Sequence, residues 1–210
     1  MEEKNFSNAK RDFLSISLMF FLISFIGWAF ETVLCFFQSG EYCDRGFLTL
    51  PFCPIYGAPV CFVFFLFGRP SDGLFYRLIG GEKSKSRGQS RDFRKFRSVI
   101  IYYFAAMMVA TAVELVVGVA FDSAGLSLWS YNGVPFCFME VVCLPVSLGW
   151  GFLITFFAQF ILPAFERGIL KLPRRLKTWL VVILWTATLA DFLYNGAYFL
   201  LNKRHFRFFR

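Results

Sequence analysis

The sequence predicts an all-α, polytopic integral membrane helix bundle, and three observations carry that prediction. Of 210 residues, 57% are hydrophobic and only 17% charged, with a mean hydropathy of +0.57, which is too apolar for an ordinary soluble domain. Several apolar runs reach the roughly 20 residues that a helix needs to cross a ~30 Å hydrocarbon layer. The net charge of +8 sits largely in the connections between those runs, which is the positive-inside pattern rather than a nucleic-acid-binding surface. Phenylalanine occurs 31 times, so the helices are expected to pack through large rings as well as through small residues.

Five transmembrane helices in one domain spanning 1–210 is the simplest count. The first, about 13–37, is too long for a removed signal peptide and lacks a small-residue cleavage site, so it reads as a signal anchor. The second, about 50–68, carries Pro51, Pro54 and Pro59 and is the run expected to be broken or re-entrant. The third covers about 99–121. In the fourth, about 136–165, Pro145, Gly149 and Gly151 flank Trp150, which predicts a kink or a close helix approach. The fifth covers about 178–201.

Orientation follows from the Lys and Arg of the loops. The basic connection 69–98 carries Arg69, Arg77, Lys83, Lys85, Arg87, Arg91, Arg94, Lys95 and Arg97, and the connection 166–177 carries Arg167, Lys171, Arg174, Arg175 and Lys177. By contrast, 38–49 has only Arg45, and 122–135 has no Lys or Arg. Placing both basic loops in the cytoplasm puts the N-terminus inside and the C-terminus outside. The tail NKRHFRFFR, with Lys203, Arg204, Arg207 and Arg210, runs against that rule. Within the first basic loop, GGEKSKSRGQSR cannot bury a core; it reads as a topology determinant touching anionic lipid, or as a docking site for a cytoplasmic partner. A faint internal repeat also shows. Glu31 precedes Pro51-Phe52-Cys53 by nearly the spacing at which Glu114 precedes Pro135-Phe136-Cys137, as two parallel helical hairpins related by pseudo-symmetry would require.

The sharpest chemical signal is a set of acids within the apolar runs: Glu31, Glu114, Glu140 and Asp191. An acid near the bilayer centre costs on the order of 2.5 to 3.5 kcal/mol, so such residues face the bundle interior and find partners there. Under the inferred topology all four occupy the outer half, where the loop EYCDRGF brings Asp44 and Arg45, and Tyr56 can donate a hydrogen bond among the nearby helix breakers Gly46, Pro51, Pro54, Gly57 and Pro59. One reading is a structural ion-pair network; the other is a polar pocket that receives a cation, a proton or a polar substrate from outside. Because the acids outnumber Arg45, the second reading favours a cationic ligand or protonation of some members. Trp129 and Tyr131 read as interfacial anchors before ligands.

The six cysteines contain no C-x-x-C pair, which argues against a zinc ribbon or a thioredoxin-like centre. Cys43 and Cys137, both in loops assigned to the outside, are the pair considered for a disulfide, against the alternative of free apolar filler.

The stretch FIGWAFETVLCFFQSGEYCDRGFLTLPFCPIYG, with VELVVG, LWSYNGVPF and SLGWG further on, resembles a bacterial membrane family, the CmpB-like proteins described as putative ABC-transporter type IV. Gly27, Trp28, Glu31, Arg45, Gly46, Phe47, Leu48, Pro51, Pro54, Ile55, Tyr56 and Gly57 match its pattern position by position. Asp44 stands where the family has Asn, and Leu50 where it has Gly. Trp129-Ser130-Tyr131-Asn132 replaces a Trp-Asp-Tyr-Ser turn, the polar residues after Pro135-Phe136 are lost, and Trp150-Gly151 keeps its place. The resemblance covers roughly 20–165 and implies a multi-pass bacterial plasma-membrane protein, a transporter's membrane subunit.

No G-x-x-x-x-G-K-[ST] loop occurs, so ATP hydrolysis would have to come from a separate cytoplasmic ATPase subunit. The other partners expected are the lipid bilayer and a second copy of the chain, with no nucleic acid and no cofactor. A membrane scaffold whose ion pairs are structural is the alternative. An enzyme is not expected, because the lone His205 sits in the tail and no nucleophile–base or metal spacing appears.

Overall fold

The structure is a computed structural model that describes residues 12–40, 46–80 and 89–202. Its long elements are α1 (Phe13–Ser39), α2 (Pro54–Phe67), α4 (Gln89–Ser123), α5 (Leu144–Phe156) continued by α6 (Leu162–Leu170), and α7 (Arg174–Asn202), with the short α3 (Leu74–Leu78) after α2. Among the described residues, four helical stretches are long and apolar enough to cross a membrane: Phe13–Phe37, Arg91–Ser123, Leu144–Leu170 and Arg174–Asn202. The bundle is all-α and polytopic, as the hydropathy requires.

Each boundary has a local cause. α1 starts where the Asp12 carboxylate accepts the Ser15 N–H at 3.1 Å, and stops at Gly40, whose φ of 73° and N–H bond to the Phe36 carbonyl form a left-handed cap. α2 opens on Pro54, whose missing N–H costs nothing in a first turn, and it is only 14 residues long. At roughly 21 Å it falls short of the ~30 Å layer, in keeping with a proline-interrupted run. α4 begins ten residues before the apolar run does, because Arg, Lys and Gln propagate a helix well beyond the lipid. The π-turn Phe157–Ile161 precedes Pro163, which cannot donate to the preceding turn; it presents Gln159, whose side-chain amide donates to Ser71 Oγ at 3.1 Å.

The fourth helix starts at Leu144, not at 136. Residues 137–143 form an antiparallel hairpin, β1 (Cys137–Phe138) with β2 (Val142–Cys143), in which Cys137 lies opposite Cys143 and is disulfide-bonded to it. Hydropathy does not separate a short apolar strand from a helix, and Pro145 in the first turn fixes the true start. Phe136, Met139 and Glu140 take φ of 60°, 54° and 57°, a region that non-glycine residues enter only where the surroundings hold them. The bond considered between Cys43 and Cys137 is therefore not formed. Cys35 is also disulfide-bonded, whereas Cys53 and Cys61 are buried and form no disulfide.

Two helical hairpins, α1–α2 and α4–α5, pack side by side through α2 and α4. Gly57 of α2 lies against Ser24 and Phe20 of α1, seven and eleven residues before Glu31; Gly151 of α5 lies against Met107 and Tyr103 of α4, seven and eleven residues before Glu114. The two hairpins thus share this spacing between the close glycine contact and the glutamate. The matched tripeptides are not equivalent, since Pro51-Phe52-Cys53 leads straight into α2 while Pro135-Phe136-Cys137 enters the hairpin. Ile23, Val63, Phe64, Tyr102, Ala106, Ile154, Ala158 and Leu162 form the core between the two pairs. α7 leans on α1, where the buried Lys177 reaches Ser15 Oγ at 3.3 Å and Asp12 at 3.8 Å.

Candidate functional site

Two carboxyls meet at the end of the bundle opposite the basic connections. On α1, Gly27 lets Tyr56 of α2 cross at close range: a Cβ there would lie 2.6 Å from Tyr56 Cβ. The phenol then reaches one turn further and donates a hydrogen bond to Glu31 Oε1. The second hairpin repeats the pairing, with the Tyr131 hydroxyl donating to Glu114 Oε1 at 2.6 Å. One turn beyond Glu114, Gly118 makes room for the Val141 side chain, and the Val141 carbonyl accepts the Trp129 indole N–H at 3.0 Å. That bond fixes the loop carrying Tyr131. Burial first, then Glu114, pushes the Tyr131 hydroxyl above its ordinary range, so it stays a donor.

Between these pairs lies a cavity of about 760 Å³. Glu31 is half-buried on its wall, and Glu114 is 3% exposed, with Oε2 buried and without a hydrogen bond of normal geometry, the Trp150 side chain being the polar group that faces the same carboxyl. The remaining walls are largely aromatic. Trp150 lies 4.9 Å from Tyr56, ring centre to ring centre, and Trp129 and Trp185 face the same space. Phe47 sits 5.1 Å from Phe121 and 5.3 Å from Phe192, closing the cavity toward α7. Among the described residues no Lys, Arg or His lines it, and no group of three or more metal-ligating side chains occurs.

The other candidate residues fall elsewhere. Asp191 is a structural tie: it accepts hydrogen bonds from Thr49 Oγ1, from the Leu50 N–H at 3.0 Å and from Asn195 Nδ2 at 3.0 Å, anchoring the segment before α2 to α7. Glu140 is not in a transmembrane helix. It sits exposed in the hairpin turn and does not itself line the cavity; its Oε2 accepts from Ser130 Oγ at 3.1 Å and its carbonyl from the Tyr131 N–H at 2.8 Å, so it braces the loop that forms part of the wall. Arg45, with Cys43, Asp44, most of GGEKSKSRGQSR and the tail after Asn202, lies outside the described residues. Of the motif residues, Gly46 turns the chain with φ of 94° and Pro54 starts α2, both at the cavity wall. Trp28 stacks 5.9 Å from Phe25, and Pro51 is half-buried; neither lines the cavity.

Tyr131 and Trp129 are the residues whose place the interfacial-anchor reading missed. Their signal is the Glu–Tyr pairing itself, which appears once in each hairpin. Trp185 joins them only through the packing of α7, which no local pattern announces.

No curated protein and no solved structure gives a significant match. The family described as Putative ABC-transporter type IV matches residues 18–195, a stretch that takes in both hairpins, the cavity and most of α7, and the chain is a member of that family.

Proposed function

We propose that the chain is the permease-like membrane subunit of an ABC-type transporter and that the cavity between Glu31 and Glu114 is its substrate site. Glu114 carries the proposal. Both carboxylate oxygens of Asp191 are bonded, whereas Glu114 Oε2, with Thr188 Oγ1, is a buried atom without a hydrogen bond on a residue that lines a cavity large enough for a small organic ligand. The family membership supports the transporter class.

Two features support an outward-facing cavity and a cytoplasmic N-terminus. The basic residues of the helical N-terminus of α4 and of the α6–α7 connection lie at the far end, and the Cys137–Cys143 disulfide lies at the cavity end, where an oxidising exterior would preserve it. The separate ATPase subunit would dock on the basic end, around α3 and Lys171.

Purification of the full chain from native membranes in mild detergent should recover an ATPase, and Arg91→Glu with Lys171→Glu should release it. Recovery of no ATPase under those conditions defeats the ABC reading. The completely bonded Asp191 favours the scaffold alternative for part of the acid set, and Glu31→Gln separates the two: a scaffold loses abundance, a permease loses uptake while accumulating normally.

A further inference from the structure

We infer that the cavity takes a lipophilic organic cation, such as a quaternary or protonated amine flanked by apolar groups. This rests on the substrate-site reading above and names its ligand class.

The argument begins with charge. Glu31 and Glu114 put two carboxyls on the wall, and among the described residues no cationic side chain faces them. The N-terminus of α2 also points at the cavity and supplies roughly half a positive charge, less than either carboxylate when ionised. Each carboxyl is already oriented by one phenol, so its geometry is set before a ligand arrives. Glu114 Oε2 is buried without a hydrogen bond of normal geometry, beside the Trp150 indole, and a cation held against that ring is a partner that would relieve it.

Size and wall chemistry then select the kind of cation. A hydrated metal ion needs six or more oxygens at short range, whereas this cavity offers two carboxyls amid rings. At about 760 Å³ it holds a molecule of drug-like size. Its faces are Trp129, Trp150, Trp185, Tyr56, Tyr131 and Phe47. Indole and phenol faces attract a cation by their quadrupoles, and the attraction grows when water is excluded. Apolar substituents on the ligand would bury against the same rings. A small inorganic cation would forfeit that contact, and an organic anion would meet Glu114.

The test uses two near-isosteric probes of opposite charge, tetraphenylphosphonium and tetraphenylborate, added to the purified full chain in nanodiscs of neutral lipid. Quenching of tryptophan fluorescence reports occupancy, because three cavity walls are indoles. Tetraphenylphosphonium should saturate the signal, and tetraphenylborate should bind at least about tenfold more weakly. Glu114→Gln should weaken the phosphonium about tenfold or more, while Asp72→Asn, exposed beyond the far end of α2, should not change it. Glu31→Gln, on the opposite wall, should also weaken the phosphonium, so the charge dependence is read even if Glu114→Gln is poorly folded. Equal binding of the two probes, no phosphonium binding up to millimolar concentration, an unaffected Glu114→Gln, or an unaffected monodisperse Glu31→Gln would each overturn the inference. Recovery of an ATPase alongside a failed phosphonium titration would leave the transporter reading standing and remove only the ligand class.

Discussion

Replacing Gly57 with alanine places a methyl group where α1 already is. The new Cβ would lie 2.7 Å from the Phe20 carbonyl oxygen and 2.9 Å from Phe20 Cδ2, and closer still to Ser24 Oγ. Unbonded carbons and oxygens prefer about 3.5 Å, so the helices must part by the better part of an ångström, and the nearest obstacle includes backbone that cannot rotate away. Overpacking of this kind costs about 1 to 3 kcal/mol, against which alanine's helix propensity returns about 1 kcal/mol. The propensity gain is isolated by Gly149→Ala in α5, where nothing lies within 4 Å of the added Cβ. The difference between the two variants is then the packing term alone, roughly 2 to 12 °C in melting temperature for a chain of this length. Thermal unfolding of both proteins in one detergent, followed by size-exclusion recovery, measures it. If Gly57→Ala melts as high as Gly149→Ala, the close crossing of α1 and α2 is wrong, and with it the approach of Tyr56 to Glu31.

The acids should separate by variant. Asp191→Ala orphans the Leu50 N–H and Thr49, and should lower stability by about 2 to 3 kcal/mol in a denaturation assay, whereas Glu114→Gln should be neutral or stabilising because it removes a bare buried acid. Equal losses in both would mean that Glu114 is structural. Hydrogen bonds from Ser15, aided by Lys177 and opposed by burial, hold the Asp12 carboxyl below its ordinary value. Its contribution is therefore complete above about pH 4, the unfolded value, and fades as pH falls through the depressed folded value; the stability gap between wild type and Asp12→Asn should close over that acidic window. A gap unchanged down to pH 2 would contradict the cap. Finally, an impermeant maleimide applied to intact cells should label the partly exposed Cys137 only after impermeant reductant, and its labelling without reduction would refute the disulfide.

Much of the bundle was legible because lipid leaves few options: an apolar run must be a helix, a basic loop marks an end, and prolines shorten the second run to the length of α2. Legibility failed where long-range contacts decide. The run from Phe136 to Val142 is as apolar as a helix, yet its pairing and the Cys137–Cys143 bond make it a hairpin, and cysteine connectivity is not readable from spacing. That one reassignment moved Glu140 from the membrane to an exposed turn. Glu31, Tyr56 and Glu114 line one cavity, in keeping with the cost of turning an acid toward lipid. Asp191 also faces inward, but its partners Thr49 and Leu50 stand about 140 residues away and turn it into a tie. The walls supplied by Tyr131 and Trp185 depended on the same kind of distant docking.

The shortness of α2 has an electrical consequence. Its 14 residues leave roughly 9 Å of a ~30 Å layer uncrossed, and the cavity lies at its N-terminal end. In the proposed orientation, a monovalent cation settling at the α2 terminus would traverse about a third of the transmembrane field. A full crossing is worth about 2.3 kcal/mol per 100 mV, so entry would gain about 0.7 kcal/mol at that polarisation. The site would bind such a cation about threefold more tightly in an energised cell than in a depolarised one, with no moving part required.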